Sequence, residues 1–104
     1  MKFEWDEDKR QSNLRRHGID FADVSIVFDG YTATVEDTRV TYGESRFITV
    51  GLLKGRAVVV AHTERRDTIR IISARKATKN EEIAYFEQIT DRLGAARRAR
   101  RRRH

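Results

Sequence analysis

The stretch His62-Thr63-Glu64-Arg65-Arg66-Asp67, followed by Arg70 and Arg75, places an imidazole, a carboxylate and several guanidinium groups close together in the chain. On a strand, His62 and Glu64 project to one face together with Val58 and Val60. A turn of two or four residues pairs even positions of this strand with odd positions of the next. Arg75 then joins the face of His62 and Glu64, while Arg70 joins Thr63 on the other; a three-residue turn swaps those assignments. An acid, an imidazole and a guanidinium on one sheet face are what RNA cleavage without a metal requires. One group takes the 2′-hydroxyl proton, one protonates the leaving 5′-oxygen, and a cation stabilises the phosphorane. The same residue types also make an ordinary cross-strand Glu–Arg pair beside a satisfied histidine. His-x-Glu alone does not separate the two.

A second polar set lies near the N-terminus. Asp6, Lys9, Asn13 and His17 follow steps of three, four and four, which keeps them on one narrow face of a helix. Leu14 is the only large apolar residue of that segment, so burial of an apolar stripe is not what positions it. Either this face is solvated, or it meets a polar ligand or buttresses a site on the sheet. Other chemistries are poorly supported. There is no Cys, and His17, His62 and His104 lack metal-ligand spacing, so neither a metal nor another cofactor is expected. The glycines are scattered rather than gathered into a phosphate loop, and no serine sits in a nucleophile elbow. Trp5 reads as core.

The elements that must hold these residues follow from periodicity. Lys2–Trp5 suits a short strand, and Asp6 opens a helix to about His17 with acids first, bases last and Gly18 as the stop. Asp20 with Asp23 caps a second helix whose apolar set is Phe21, Val24, Val27 and Phe28. Strands are expected over Thr32–Glu36, Arg46–Leu53, Ala57–Glu64 and Thr68–Ala74, joined by a polar connection over Asp37–Glu44, a Lys54-Gly55 turn and a turn near Arg65–Asp67. Ala57–Glu64 is the most apolar and therefore central. Thr78 to Glu81 is a capping box opening a last helix, with Ile83, Phe86, Ile89 or Thr90, and Leu93 on one face. The expected class is α+β, in the order β-α-α-β-β-β-β-α, with helices packed on a mostly antiparallel sheet.

Charge is unevenly spread. The 104 residues carry 22 basic and 16 acidic side chains, a formal net charge of +6. Residues 92–104 hold seven Arg and no acid, which leaves residues 1–91 with 15 bases against 16 acids. The domain proper, residues 1–93, is thus nearly neutral, and residues 94–104 form an Arg-rich tail expected to be disordered. No apolar run is long enough to span a bilayer and the N-terminus lacks the plan of a signal peptide, so a soluble cytoplasmic protein is expected.

Several of these residues, in this order, resemble one family. Phe3-Glu4-Trp5-Asp6, Lys9, Asn13 and His17-Gly18-Ile19-Asp20-Phe21 are similar to the opening of the BrnT toxins. Arg46–Gly51 looks like their middle strand, and His62–Arg65, Asp67 and Ile69–Ala77 look like their signature hairpin. The resemblance spans residues 3 to about 87 and does not reach the Arg-rich tail. It implies a RelE-like fold and a ribonuclease toxin of a type II toxin–antitoxin pair that inhibits translation. It also implies a BrnA-like ribbon-helix-helix antitoxin, a heterotetrameric complex, and contact with operator DNA through the antitoxin. Carried over by position, the family's polar set falls on Lys9, Asn13, His17, His62, Glu64, Arg65, Arg70 and Arg75. In that reading His62 or Glu64 moves protons, Arg70 and Arg75 hold the phosphate, and Lys9 and Arg65 bind the RNA backbone. Asn13 and His17 position the Trp5 strand or contact substrate. The competing class is a non-catalytic module that binds nucleic acid or an antitoxin.

Overall fold

A computed structural model describes residues 1–38 and 45–102, with side chains as far as Gly94. Most of the Asp37–Glu44 connection, and the side chains of the Arg-rich segment, lie outside the described residues. The elements are β1 (Lys2–Trp5), α1 (Glu7–His17), a 3₁₀ helix η1 (Phe21–Asp29), β2 (Ala33–Asp37), β3 (Arg46–Leu53), β4 (Arg56–Arg65), β5 (Thr68–Lys76) and α2 (Lys79–Arg102). The strands form one sheet in the order β1-β5-β4-β3-β2. Its sequential neighbours are antiparallel, and β1 joins β5 in parallel, so the sheet is mixed. β4 is the middle strand, as its apolar composition requires.

Local chemistry accounts for most boundaries. The Asp6 carboxylate accepts from the backbone N–H groups of Asp8 at 2.9 Å and Lys9 at 3.1 Å, satisfying two donors that α1 leaves open. Gly18 ends α1 at φ 72°, and its N–H donates to the Leu14 carbonyl at 2.9 Å. The Lys54-Gly55 turn has both residues at positive φ, as a type I′ hairpin turn requires. At the start of α2, Thr78 and Glu81 form the reciprocal capping box expected from sequence.

The second helix departs from expectation. The segment Phe21–Asp29 winds as a 3₁₀ helix, in which three residues make a turn. Phe21, Val24 and Val27, three apart, therefore line up along one edge and are all buried. They pack with Ile19 against Val58, Val60, Ile69, Ile71 and Ala74 on the sheet, with Phe3, Trp5 and Phe28 at the margin. This core face carries α1 and η1. Gly51 lets η1 approach, since a Cβ there would sit 2.6 Å from Val27 Cγ1. α2 starts against the opposite face, where Arg75 grips Glu81 and the Tyr85 hydroxyl donates to the Tyr31 carbonyl at 2.8 Å.

One irregularity decides which face several polar residues share. The β4–β5 turn is Arg66-Asp67, two residues, so Glu64 pairs with Ile69, Thr63 with Arg70 and His62 with Ile71. A β-bulge then shifts the register, and Ala61 pairs with Ser73, Val60 with Ala74 and Val59 with Arg75. The extra residue turns Arg75 away from the face of His62 and Glu64, contrary to what the turn length alone predicts.

Candidate functional site

Beyond the bulge, toward the hairpin turn, the register aligns one residue from each strand across the open face of the sheet. The row reads Glu4, Arg70, Thr63, Arg46 and Asp37, from β1 to β2. The next row toward the turn is Lys2, Thr68 and Arg65. Glu4, Thr63, Arg65, Thr68 and Arg70 line a cleft of about 300 Å³. Its floor is the buried Thr63, and its walls are exposed charged side chains. Arg70 Nη1 stands 3.5 Å from Glu4 Oε1 with both side chains about half exposed. An exposed pair of this kind holds itself together by only about 0–1 kcal/mol, so an incoming anion can displace the carboxylate from the guanidinium. The arrangement suits a phosphate: flat cationic donors, a hydroxyl below and a carboxylate beside them.

The core side of the same strands is built differently. His62 has no solvent exposure. Its ring lies between Phe47, stacked at 5.9 Å, and Phe28, edge-on at 5.3 Å. Nε2 is 2.7 Å from the Thr49 hydroxyl, which is itself 2.7 Å from the Thr34 hydroxyl. Nδ1 has no hydrogen-bond partner, and the Glu64 carboxylate is 3.8 Å away, beyond bonding distance. Burial pushes the imidazole down from 6.5 to about 4, so it is neutral at physiological pH. Glu64 itself is half exposed at the rim of the core.

Sequence comparison connects this geometry to a family. A family model for BrnT, the ribonuclease toxin of a type II toxin–antitoxin system, matches residues 5–81, well over half the chain. The chain belongs to the BrnT family. No curated protein matches it in sequence. As a BrnT-family ribonuclease toxin of a type II system, it has an antitoxin as its implied partner. No helix among the described residues is long and apolar enough to cross a membrane.

The polar set that the BrnT resemblance carries over is divided by the fold. Arg65 and Arg70 share the open cleft. Arg75 lies on the same face beyond the bulge, where its guanidinium binds both oxygens of Glu81 at 2.8 and 2.9 Å. That contact and the bond from the Thr78 N–H hold the Glu81 carboxyl down at about 2. His62 and Glu64 face the core side. Lys9 is exposed on α1 and His17 is half-buried at its end.

Asn13 is buried, and its carboxamide acts as a backbone substitute. Oδ1 accepts from the Ala74 N–H at 3.1 Å, while Nδ2 donates to the Ala74 carbonyl at 2.8 Å and the Ile19 carbonyl at 3.1 Å. β1 ends opposite Ile71, so this side chain completes the pairing of β5 where the edge strand has run out. Arg10 ties the same region together, bonding Glu7 and, at 3.1 Å, Asp20.

Sequence reading missed Glu4, Thr68 and Arg46 as neighbours of Arg70 and Arg65. For Glu4 the missing signal is the parallel pairing of β1 with β5, which joins it to Arg70 across most of the chain; Thr68 and Arg46 enter through the β4–β5 and β3–β4 registers.

Proposed function

We propose that this BrnT-family chain is a metal-independent endoribonuclease that arrests translation by cutting RNA on the open face of its sheet. The observation carrying the reading is the cleft of Glu4, Thr63, Arg65 and Arg70. Arg65 and Arg70 take the scissile phosphate and stabilise the phosphorane, the work a divalent ion does in other nucleases. Glu4, released from Arg70 by the phosphate, accepts the 2′-hydroxyl proton. The 2′-oxygen attacks phosphorus, the bond to the 5′-oxygen breaks, and the products are a 2′,3′-cyclic phosphate and a 5′-hydroxyl that takes up a proton.

In this reading His62 supports the fold rather than moving the proton, because no substrate atom reaches a side chain with no exposure. Lys9 and His17 flank the core side, and Arg75 positions α2. A RelE-like architecture belongs to the same proposal and is supported by the mixed five-stranded sheet with helices on both faces. So does a BrnA-like ribbon-helix-helix antitoxin, in a heterotetramer that covers the cleft and binds operator DNA.

The test is cleavage of a defined RNA in EDTA, alongside toxicity on induction. Arg70→Ala, Arg65→Ala and Glu4→Gln are each expected to lower the rate about 10²-fold while leaving the fold intact. Glu64→Gln is expected to stay near wild-type. If Glu64→Gln abolishes cleavage and Glu4→Gln does not, the chemistry belongs to the core-side rim. If the wild-type chain is inactive without a divalent ion, metal independence fails.

A further inference from the structure

α2 is twenty-four residues, about 36 Å, and among the described side chains, as far as Gly94, it touches the body along one edge. Tyr85 is buried, Ile89 is half-buried, and Arg92 donates to the Thr32 carbonyl at 3.0 Å. The other side of the helix carries Ile83, Phe86 and Leu93, which are 47, 42 and 43% exposed. Thr90 lies among them with its hydroxyl donated to the Phe86 carbonyl at 2.9 Å, so it adds its methyl to the stripe. Ile83, Phe86 and Thr90 floor a groove of about 360 Å³, and Glu87 and Asp91 form its rim.

We propose that this stripe pairs with the same stripe of a second copy of the chain, the two α2 helices running antiparallel. A groove with an apolar floor and an acidic rim fits an apolar side chain carried among cations. An acidic segment is repelled by Glu87 and Asp91. The chain itself supplies such a segment: Leu93 is followed along α2 by arginines at 97, 98, 100, 101 and 102. The charge order along the helix selects the orientation. Residues 79–91 carry Lys79 against Glu81, Glu82, Glu87 and Asp91, whereas residues 92–102 carry six arginines and no acid. Antiparallel pairing lays each acidic half along the other copy's basic half. Parallel pairing sets like against like. The contact is two-fold symmetric, so Leu93 of each copy enters the groove of the other. The stripe begins after residue 81, where the family match ends, so the pairing is independent of the nuclease reading.

The patch is small, and the dimer is correspondingly weak. Sedimentation equilibrium of the full chain tests it, after nuclease digestion and a wash in about 1 M salt to strip bound RNA. From about 5 to about 200 µM, the weight-average mass is expected to climb from 12.2 kDa toward twice that value. Leu93→Glu and, separately, Phe86→Glu are each expected to weaken association at least tenfold with an unchanged circular dichroism spectrum. The double charge reversal Glu87→Arg with Asp91→Arg is expected to weaken it several-fold while leaving the apolar floor in place. Leu93, well exposed near the end of the packed part of α2, keeps the test valid if Phe86→Glu does not fold. A wild-type chain that stays monomeric overturns the proposal. So does a dimer indifferent to both apolar substitutions, or one that disappears on nuclease digestion, since RNA then bridges the copies.

Discussion

His62 makes a quantitative prediction about acid stability. Its imidazole titrates near 4 in the folded chain and near 6.5 when unfolded. The unfolded state therefore binds a proton that the folded state refuses, and stability falls as pH drops below about 6.5. A gap of about 2.5 units, at 1.36 kcal/mol each, sets a ceiling of about 3 kcal/mol, reached only below pH 4. Between pH 7 and pH 5 the loss is about 2 kcal/mol by the same linkage. The carboxyl groups held low by partners, Glu81, Glu7 and Asp20, shed their contributions only at more acid pH, because a lowered pKa matters below the ordinary carboxylate range. Urea unfolding at pH 7 and pH 5 isolates the imidazole. His62→Gln keeps a group able to bond Thr49 but cannot titrate, so it is expected to be less stable at pH 7 and nearly flat to pH 5. A variant that loses as much stability as wild-type over that interval would refute the assignment, and so would a flat wild-type profile.

Two further substitutions probe the supports of the sheet. Asn13→Ala removes the partners of both Ala74 backbone groups and is expected to cost about 2–4 kcal/mol, read from urea midpoints at unchanged slope. Asn13→Asp sets a buried carboxylate oxygen against the Ala74 and Ile19 carbonyls and is expected to cost at least as much as Asn13→Ala at pH 7. Gly51→Ala drives a methyl to 2.6 Å from Val27 Cγ1 and forces η1 off the sheet, at about 1–3 kcal/mol by thermal denaturation. A neutral result there would mean that the 3₁₀ segment shifts freely.

The parts of this fold that could be read from sequence are those set by neighbours in the chain. Asp6 and Gly18 bracket α1 through bonds spanning two to four residues, and the Thr78–Glu81 box spans three, so local pattern finds both. The apolar run around Val58–Val60 identifies the central strand because burial on both faces leaves no alternation. A turn near Arg65–Asp67 is also local, but its length was open to sequence; the observed two residues, Arg66-Asp67, are what set Arg70 beside Thr63. What escaped depends on a single residue or on distant pairing. The bulge after Ala61 leaves no mark in a period-two pattern, yet it moves Arg75 to the opposite face from His62. Apolar residues at 21, 24 and 27 satisfy both a three-residue and a 3.6-residue turn, so the pattern could not tell a 3₁₀ helix from an α-helix. Glu4 entered the cleft only through the parallel strand pair. Asn13 was singled out by its spacing, but spacing gives no sign that a carboxamide is standing in for a strand.

That substitution has a consequence for solubility. β1 has four residues and its neighbour β5 has nine, so the outer strand leaves the second half of β5 without a companion. Unsatisfied edge groups in the middle of an apolar strand invite a strand from another molecule, the first step of sheet extension and aggregation. Asn13 occupies both groups of Ala74 and denies an incoming strand its first pair of bonds. Ala74 is itself buried beneath α1, so loss of this side chain exposes a template for other molecules only where α1 also lifts from the edge of β5.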